Sequence, residues 1–368
     1  MIEYRTYKYL VKPTLNQKAE IKKTLVSCTK IYNKFIMENG FETYKYVKAK
    51  DVLYKYKNED SSLIDVDSSA LINVLFEFQN KNKQQSKVKE GNKILKSYST
   101  SNLSGRQAIY FVDNKHINIP KLGNMTIVMH RSIPNCARIM KATITMDNCD
   151  NYYVCLSISF DREDRINKID ITKSIGLDYS SKYLYVDSDG NRCEMRHYYQ
   201  EQEKRIAKLK FALSKCKKYS LRYYKLKDKI GKIYKRTVNQ RNDFLHKLSA
   251  KLANEYDLVC VEDLDMNDIA QKYSLAKNTY DNSYGKFLEY LKYKLEARGK
   301  VLIKVKKYYP SSKRCSKCGY INNELKLSDR GWVCPNCKSV HDRDINAAIN
   351  IKNRGIEEFT SIGYLDHA

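Results

Sequence analysis

Four cysteines and three carboxylates are the residues of this chain whose types and spacing point to chemistry. Cys315–Cys318 and Cys334–Cys337 form two Cys-x-x-Cys knuckles, with fifteen residues between Cys318 and Cys334. Each knuckle turns back tightly enough to aim two thiolates at one point, and two knuckles complete a tetrahedral Zn²⁺ site. Four thiolates leave no open coordination position. Such a zinc is structural, and it substitutes for a core that so short a segment cannot build. Gly319, directly after the first knuckle, suits a left-handed turn. The competing reading is two unrelated redox pairs, and the spacing speaks against it.

The carboxylates are Asp178, Glu262 and Asp344. Asp178 follows Ile175-Gly176-Leu177, Glu262 follows Leu258-Val259-Cys260-Val261, and Asp344 opens a segment bearing Ala347 and Ala348. Strand ends and a helix start can converge on one cleft of an α/β sheet. Carboxylates placed there repel one another and want a hard divalent cation, Mg²⁺ or Mn²⁺. Two such ions about 3.5–4 Å apart activate a water and stabilise the leaving oxygen in phosphodiester cleavage. Read singly, each acid is an ordinary turn or cap residue. Asp263, Asp265 and Asp342 compete for the same role, and periodicity alone does not bring three of them together.

The elements that must position these groups follow from periodicity. Residues 1–10 read as a strand. Residues 15–57 read as helical, with Ile21, Leu25, Cys28, Ile31 and Phe35 on one face. Residues 66–96 read as a second helical piece, capped by Asp67 or Ser68 and ending in the basic run KNKQQSKVKE. Short strands separated by turn signals fill 106–162 and suggest a small barrel that the N-terminal strand can join, leaving the helical segment as an insertion. From 171 onward the pattern is α/β. Strands near 175–178, 183–186, 258–261 and 301–305 are interleaved with a basic helical region at 199–253 and helices at 284–298 and 344–353.

These motifs, taken in order, resemble the TnpB family of transposon-encoded, RNA-guided DNA nucleases related to type V CRISPR effectors. The resemblance rests on Ile175-Gly176-Leu177-Asp178, Val261-Glu262-Asp263-Leu264, the two cysteine knuckles, and the string from His341 through Asp344, Asn346 and Asn350 to Ile351. It extends to 119–123, His130-Arg131, 244–249 and 309–313, covers most of 106–352, and is weaker over 1–105. It implies a multidomain α+β fold. Residues 1–10 and 105–168 would be a wedge-type β-barrel, and 11–104 an inserted helical recognition domain. Residues 169–307 and 341–368 would be a RuvC-like, RNase H-type nuclease domain, and 308–340 an inserted zinc ribbon. It further implies a catalytic triad of Asp178, Glu262 and Asp344 binding two Mg²⁺ or Mn²⁺ ions. Asp344 is preferred over Asp342 because the third acid of the family stands two residues before the Asn of this motif. The implied partners are a guide RNA from the transposon end (reRNA or ωRNA) and double-stranded target DNA, cut at a single site beside a short transposon-adjacent motif. Two departures bear on that motif: the stretch 97–105, SYSTSNLSG, is less basic than usual, and Ile72-Asn73 stands where relatives often carry Gln.

Charge agrees with such partners. The chain carries 68 Lys+Arg against 42 Asp+Glu, a net charge of +26, with pI near 9.4, which predicts a polyanionic partner. Residues 197–253 alone hold 17 Lys+Arg and 4 Asp+Glu, and Tyr219, Tyr223, Tyr224 and Tyr234 interleave with the cations. Lys neutralises phosphates and Tyr can stack on a base, although packing within a helical hairpin is the alternative for each ring. Candidate nucleic-acid contacts are Asn73, Lys217, Lys218, Arg222, Arg236, Arg241, Arg314, Arg343 and Asn346. His246 is read as structural or strand-positioning. The absence of a long apolar window and of an N-terminal apolar segment argues for an intracellular protein with no membrane partner and cysteines kept reduced, and the resemblance implies a bacterial or similar cytoplasmic, nucleoid-associated setting. Rival functions are a catalytically silent RNA-guided DNA-binding repressor, a transposase-like nuclease acting without RNA, and a ribonucleoprotein scaffold. The three standing carboxylates argue against the first and last, and the ribbon with its following helix motif against the second.

Overall fold

The computed structural model describes residues 2–39, 46–81, 94–102, 108–134, 136–147, 149–161, 168–180, 182–266, 283–326 and 328–361. The basic run expected after the second helical piece lies largely outside them. The chain divides into two compact units, Met1–Asp164 and Arg165–Ala368.

The first unit opens with β1 (Ile2–Lys12), followed by α1 (Leu15–Asn39), α2 (Tyr46–Glu59) and α3 (Ser68–Lys81). Then come β2 (Ser97–Ser101), β3 (Tyr110–Asp113), β4 (His116–Ile119), β5 (Gly123–Val128), β6 (Arg138–Met146) and β7 (Tyr152–Asp161). β1 alternates as a half-buried strand must: Tyr7, Tyr9 and Val11 are buried, Lys8 and Lys12 exposed. α1 begins with a capping box. The Thr14 N–H donates to Gln17 Oε1 at 3.0 Å, and the Gln17 N–H to Thr14 Oγ1 at 3.3 Å. Asp67 caps α3 by accepting from the Ser69 N–H.

The seven strands pair in the order β2-β6-β7-β1-β5-β4-β3, with β1 antiparallel to both β7 and β5. The N-terminal strand thus joins the β block, and α1–α3 are inserted between β1 and β2. Among the described residues no ladder joins edge strands β2 and β3. Asn102 spans that corner instead, accepting from the Ala108 and Ile109 N–H groups at 2.9 Å and donating to the Ile139 carbonyl at 2.8 Å.

β2 corrects the expected boundary, since the sheet resumes at 97 and not at 105. Its sequence, Ser-Tyr-Ser-Thr-Ser, has one apolar residue, so no hydrophobic alternation marks it. It is nonetheless buried at Tyr98, Ser99 and Thr100, paired with β6 and covered by α3.

The second unit carries β8 (Ser174–Tyr179), β9 (Tyr185–Asp187), β10 (Arg192–Cys193), α4 (Tyr198–Ser214), α5 (Leu221–Glu255) and β11 (Leu258–Glu262). It continues with α6 (Tyr284–Glu296), β12 (Val301–Val305), β13 (Gly331–Val333), β14 (Val340–Asp342) and α7 (Arg343–Ser361). The sheet order is β10-β9-β8-β11-β12, with β8, β11 and β12 parallel. β8 and β11 are covered on both faces, which is why they read as continuous apolar runs. One face packs Ile175, Leu177, Val259 and Val261 against Leu252 of α5 and Phe287 and Leu291 of α6. The other packs Leu258 and Cys260 against Ile351 and Phe359 of α7. α7 lies unusually close to the sheet. A Cβ on Gly176 would stand 2.1 Å from the Ala348 carbonyl oxygen, and a Cβ on Gly355 would stand 2.3 Å from Cys260 Sγ. Each glycine is therefore required by contact with backbone or with a buried side chain.

Candidate carboxylate site and metal centre

The strand period of two decides where the first two acids point. Gly176 and Cys260 face α7, as their contacts with it show. Asp178 and Glu262 lie two residues further along β8 and β11, on that same face. The strands are in register, Leu177 opposite Val261, so both acids stand one step beyond a common pair. α7 begins at the same end, and Asp344 sits in its first turn. Asp178 lies in the field of the other two: its carboxyl is held well above its usual range by burial, then by Glu262 and Asp344, with Arg343 opposing. Burial raises the Glu262 carboxyl as well.

The competing acids are committed elsewhere. Asp342 caps α7, accepting from the Asp344 and Ile345 N–H groups at 3.0 and 3.1 Å, and pairs with Arg192 at 2.7 Å. Asp263 pairs with Lys304 at 3.0 Å on the surface.

Two neighbours were not visible in the sequence. Arg330 reaches Asp344 at 3.4 Å. Tyr284 is 1 % exposed, its hydroxyl has no hydrogen-bond partner among the described residues, and burial, then Asp178 and Glu262, hold its phenol protonated. Two desolvated carboxylates, Asp178 and Glu262, with a third acid at the same end of the sheet and an orphaned buried hydroxyl beside them, fit a hard divalent cation, although the three acids are not drawn within 4.8 Å of one another as the cysteine sulfurs are. Asp178, Glu262 and Asp344 are the side chains that would hold it.

The cysteines form a tighter cluster. The four sulfurs lie within 4.8 Å of one another, the only such group of three or more metal-ligating side chains among the described residues. The two knuckles repeat one geometry. In the first, the Cys315 N–H donates to the Tyr320 carbonyl at 2.8 Å and the Gly319 N–H to the Cys315 carbonyl at 2.9 Å. In the second, the Cys334 N–H donates to the Ser339 carbonyl at 2.8 Å and the Lys338 N–H to the Cys334 carbonyl at 2.9 Å. Gly319 and Lys338 both take positive φ, 79° and 61°. Hydrogen bonds from Ser339 bring the Cys337 thiol down to about 6, toward the thiolate a zinc ligand must be, while burial pushes the Cys334 thiol up to about 11. His341 is buried against Trp332, with Nε2 3.0 Å from Cys315 Sγ. This donor set fits a structural zinc and leaves no open position.

The ribbon is fastened to α7 by two asparagines. Asn346 donates to the Arg314 carbonyl at 2.7 Å and accepts from the Ser316 N–H at 2.9 Å, while Asn350 donates to the Ser311 and Arg314 carbonyls. Asn346 is 1 % exposed. It is thus a brace between ribbon and helix and has no surface for nucleic acid, which corrects its placement among the contacts. The Asn-x-x-x-Asn spacing, one helical turn, was the available signal for it. Asn73 is engaged in the same way, its amide donating to the Ser99 carbonyl and Ser101 Oγ of β2 at 2.9 and 2.8 Å.

Of the remaining candidates, Lys217, Lys218 and Arg222 are exposed at the turn between α4 and α5, and Arg236 is exposed along α5. Arg241 is half-buried. Arg314 is half-buried over Gly319, and Arg343 faces the carboxylate group. His246 is exposed and stacks on Tyr290, with ring centroids 3.9 Å apart.

Comparison with known proteins fits this arrangement. The family model described as Cas12f1-like, TNB domain, matches residues 284–351, and the one described as Probable transposase (OrfB_IS605) matches 157–272. A Streptomyces pristinaespiralis protein named "Putative RNA-guided DNA endonuclease" is 28 % identical over 96 % of this chain and 89 % of its own length. InsQ of Escherichia coli K12, similarly named, is 26 % identical over 66 % of this chain and 63 % of its own. Among solved structures, Cas12f1 in a complex with sgRNA and target DNA aligns with TM-score 0.58 and 17 % identity, covering 92 % of this chain and 81 % of that one. That match establishes a shared multidomain fold of helices and sheets. No helix among the described residues is long and apolar enough to cross a membrane.

Proposed function

This chain is a TnpB-type protein, and from that premise we propose that it is an RNA-guided DNA endonuclease of a transposable element. In this reading a transposon-end RNA supplies the guide, and target DNA is opened beside a short adjacent motif. Both strands are cut at one RuvC-like site made by Asp178, Glu262 and Asp344. The first unit is assigned the wedge and recognition roles, and the cysteine segment that of a zinc ribbon.

The observation that carries the proposal is the common face: two strand acids point toward the helix whose first turn holds the third. A divalent cation bound there, Mg²⁺ or Mn²⁺, supplies the positive charge that activates water and stabilises the leaving oxygen. The chain's own groups do the rest. Gly176 and Gly355 let α7, which carries Asp344 in its first turn, close on the sheet that carries Asp178 and Glu262. Arg330 and Arg343 bring positive charge to the rim, where a phosphodiester would approach. Sequence is read by guide pairing and the protein reads backbone shape, so the surplus of basic residues need not recognise bases.

The test is to purify the protein, sequence the RNA that accompanies it, and assay cleavage of DNA matching the 3′ guide with and without Mg²⁺. Bound RNA with Mg²⁺-dependent cutting is expected. Absence of RNA would remove the guided reading, and RNA without cutting would favour a repressor.

A further inference from the structure

The tyrosines of the basic hairpin fall into two groups. Tyr234 stacks on Tyr199 across α4 and α5, with centroids 6.1 Å apart and planes 15° apart, and Lys210 lies over its ring. That pair is internal packing. At the turn the situation reverses. Tyr219 is 77 % exposed, Leu221 81 %, Phe211 64 % and Tyr224 51 %. Tyr219, Tyr223 and Tyr224 form a chain of ring contacts at 6.4 and 5.6 Å. Tyr219 also takes a positive φ of 67°, a conformation that disfavours a side chain and here holds an aromatic ring in solvent. Residues 211–225 contain five cations and no acid. Apolar rings left in water inside a wholly cationic frame have two complements in one ligand: a flat base and a phosphate.

Topology places this tip relative to the carboxylates. Asp178 lies one residue before Tyr179, which pairs with Tyr185, and Tyr185 pairs with Cys193 of β10. α4 therefore starts from the carboxylate end of the sheet. α5 ends just before Leu258, at the opposite end. The C-terminal half of α5 lines the sheet through Leu245, Leu252 and Ala253, while its N-terminal half runs beside α4. α4 has 17 residues, so at 1.5 Å per residue the turn stands about 25 Å out from the start of the hairpin, beyond the end where Asp178 and Glu262 lie.

We propose that the tip formed by Tyr219 and Tyr224 is a stacking platform for unpaired nucleotides of the DNA strand delivered to the carboxylate site. Lys217, Lys218 and Arg222 hold its phosphates. The assignment of the strand rests on the nuclease reading, because the tip stands off the carboxylate end.

The test uses the full chain without divalent metal and single-stranded DNA carrying 2-aminopurine, whose fluorescence is quenched on stacking. Wild type and the Tyr219→Phe/Tyr224→Phe variant should bind and quench alike. Tyr219→Ala/Tyr224→Ala should bind at least about tenfold more weakly and lose the quench, with an unchanged slope of affinity against salt because no cation is removed. Lys217→Ala/Lys218→Ala should flatten that slope. An alanine variant that binds and quenches as wild type does would overturn the proposal. So would a loss confined to RNA of the same sequence, which would assign the tip to the guide. If wild type binds neither strand, the nuclease reading fails together with the platform. If wild type binds DNA and the alanine variant is unaffected, only the platform fails.

Discussion

The cysteine cluster and the carboxylate site are both built to gather negative charge, yet they are built in opposite ways. The cysteines come from a stretch of the ribbon where two copies of one turn geometry converge the sulfurs within 4.8 Å. The carboxylates come from β8, β11 and α7, far apart in sequence, and share one end of the sheet only when a helix docks on it. The first site is fixed by local hydrogen bonds and needs the metal to offset its missing core. The second is fixed by tertiary contact, and its burial works against it, holding Asp178 protonated to higher pH. A closed site serves structure, while an assembled and strained one can bind a cation that also meets substrate. The link between the two is α7, anchored to the ribbon by Asn346 and Asn350 and carrying Asp344.

This contrast can be broken in order of effect. Cys334→Ser should abolish zinc binding and unfold the ribbon, because a structural zinc contributes on the order of 10 kcal/mol. Metal content and proteolysis confined to 308–340 measure it, and retention of one zinc per chain would contradict it. Removing Mg²⁺ should leave the ribbon intact. Gly176→Ala places a Cβ on the backbone of α7; about 3 kcal/mol of stability should be lost by denaturant titration, and cleavage should fall with it.

A smaller effect separates the sites by pH. In the metal-free protein Asp178 binds its proton more tightly when folded than when unfolded. Its contribution is therefore fully present below the unfolded carboxylate value of about 4 and is lost as pH rises toward the elevated folded value. The melting temperature of the metal-free chain should decline over that window, and Asp178→Asn should flatten the decline. The smallest effect tests the knuckle repeat. Lys338 adopts the same left-handed turn as Gly319, so Lys338→Gly should stabilise the ribbon by about 1 kcal/mol, whereas Gly319→Lys should weaken it.

The sequence revealed most where one residue type carries the signal by itself. Two Cys-x-x-Cys pairs, the apolar runs of β8 and β11, and the long amphipathic helices all have patterns of that kind. β2 was invisible because serine and threonine carry no hydrophobic alternation, and its burial comes from α3 and β6. Asn346 reads as a contact residue in the sequence because an asparagine two residues after an acid looks the same whether it faces substrate or, as here, a buried main-chain carbonyl. Asp178, Glu262 and Asp344 could be nominated from motif resemblance. Their common face follows from Gly176 and Cys260, two positions whose contact with α7 appears only once the helix is docked.

The central claim is that these three acids act as one site and that their neighbours do not. The direct measurement is the Mg²⁺-dependent cleavage rate of the RNA-loaded protein for Asp178→Ala, Glu262→Ala and Asp344→Ala beside Asp263→Ala. Each of the first three should lose cutting by at least about a thousandfold while retaining bound RNA, and Asp263→Ala should cut near the wild-type rate. A normal rate from any one of the three would contradict the account.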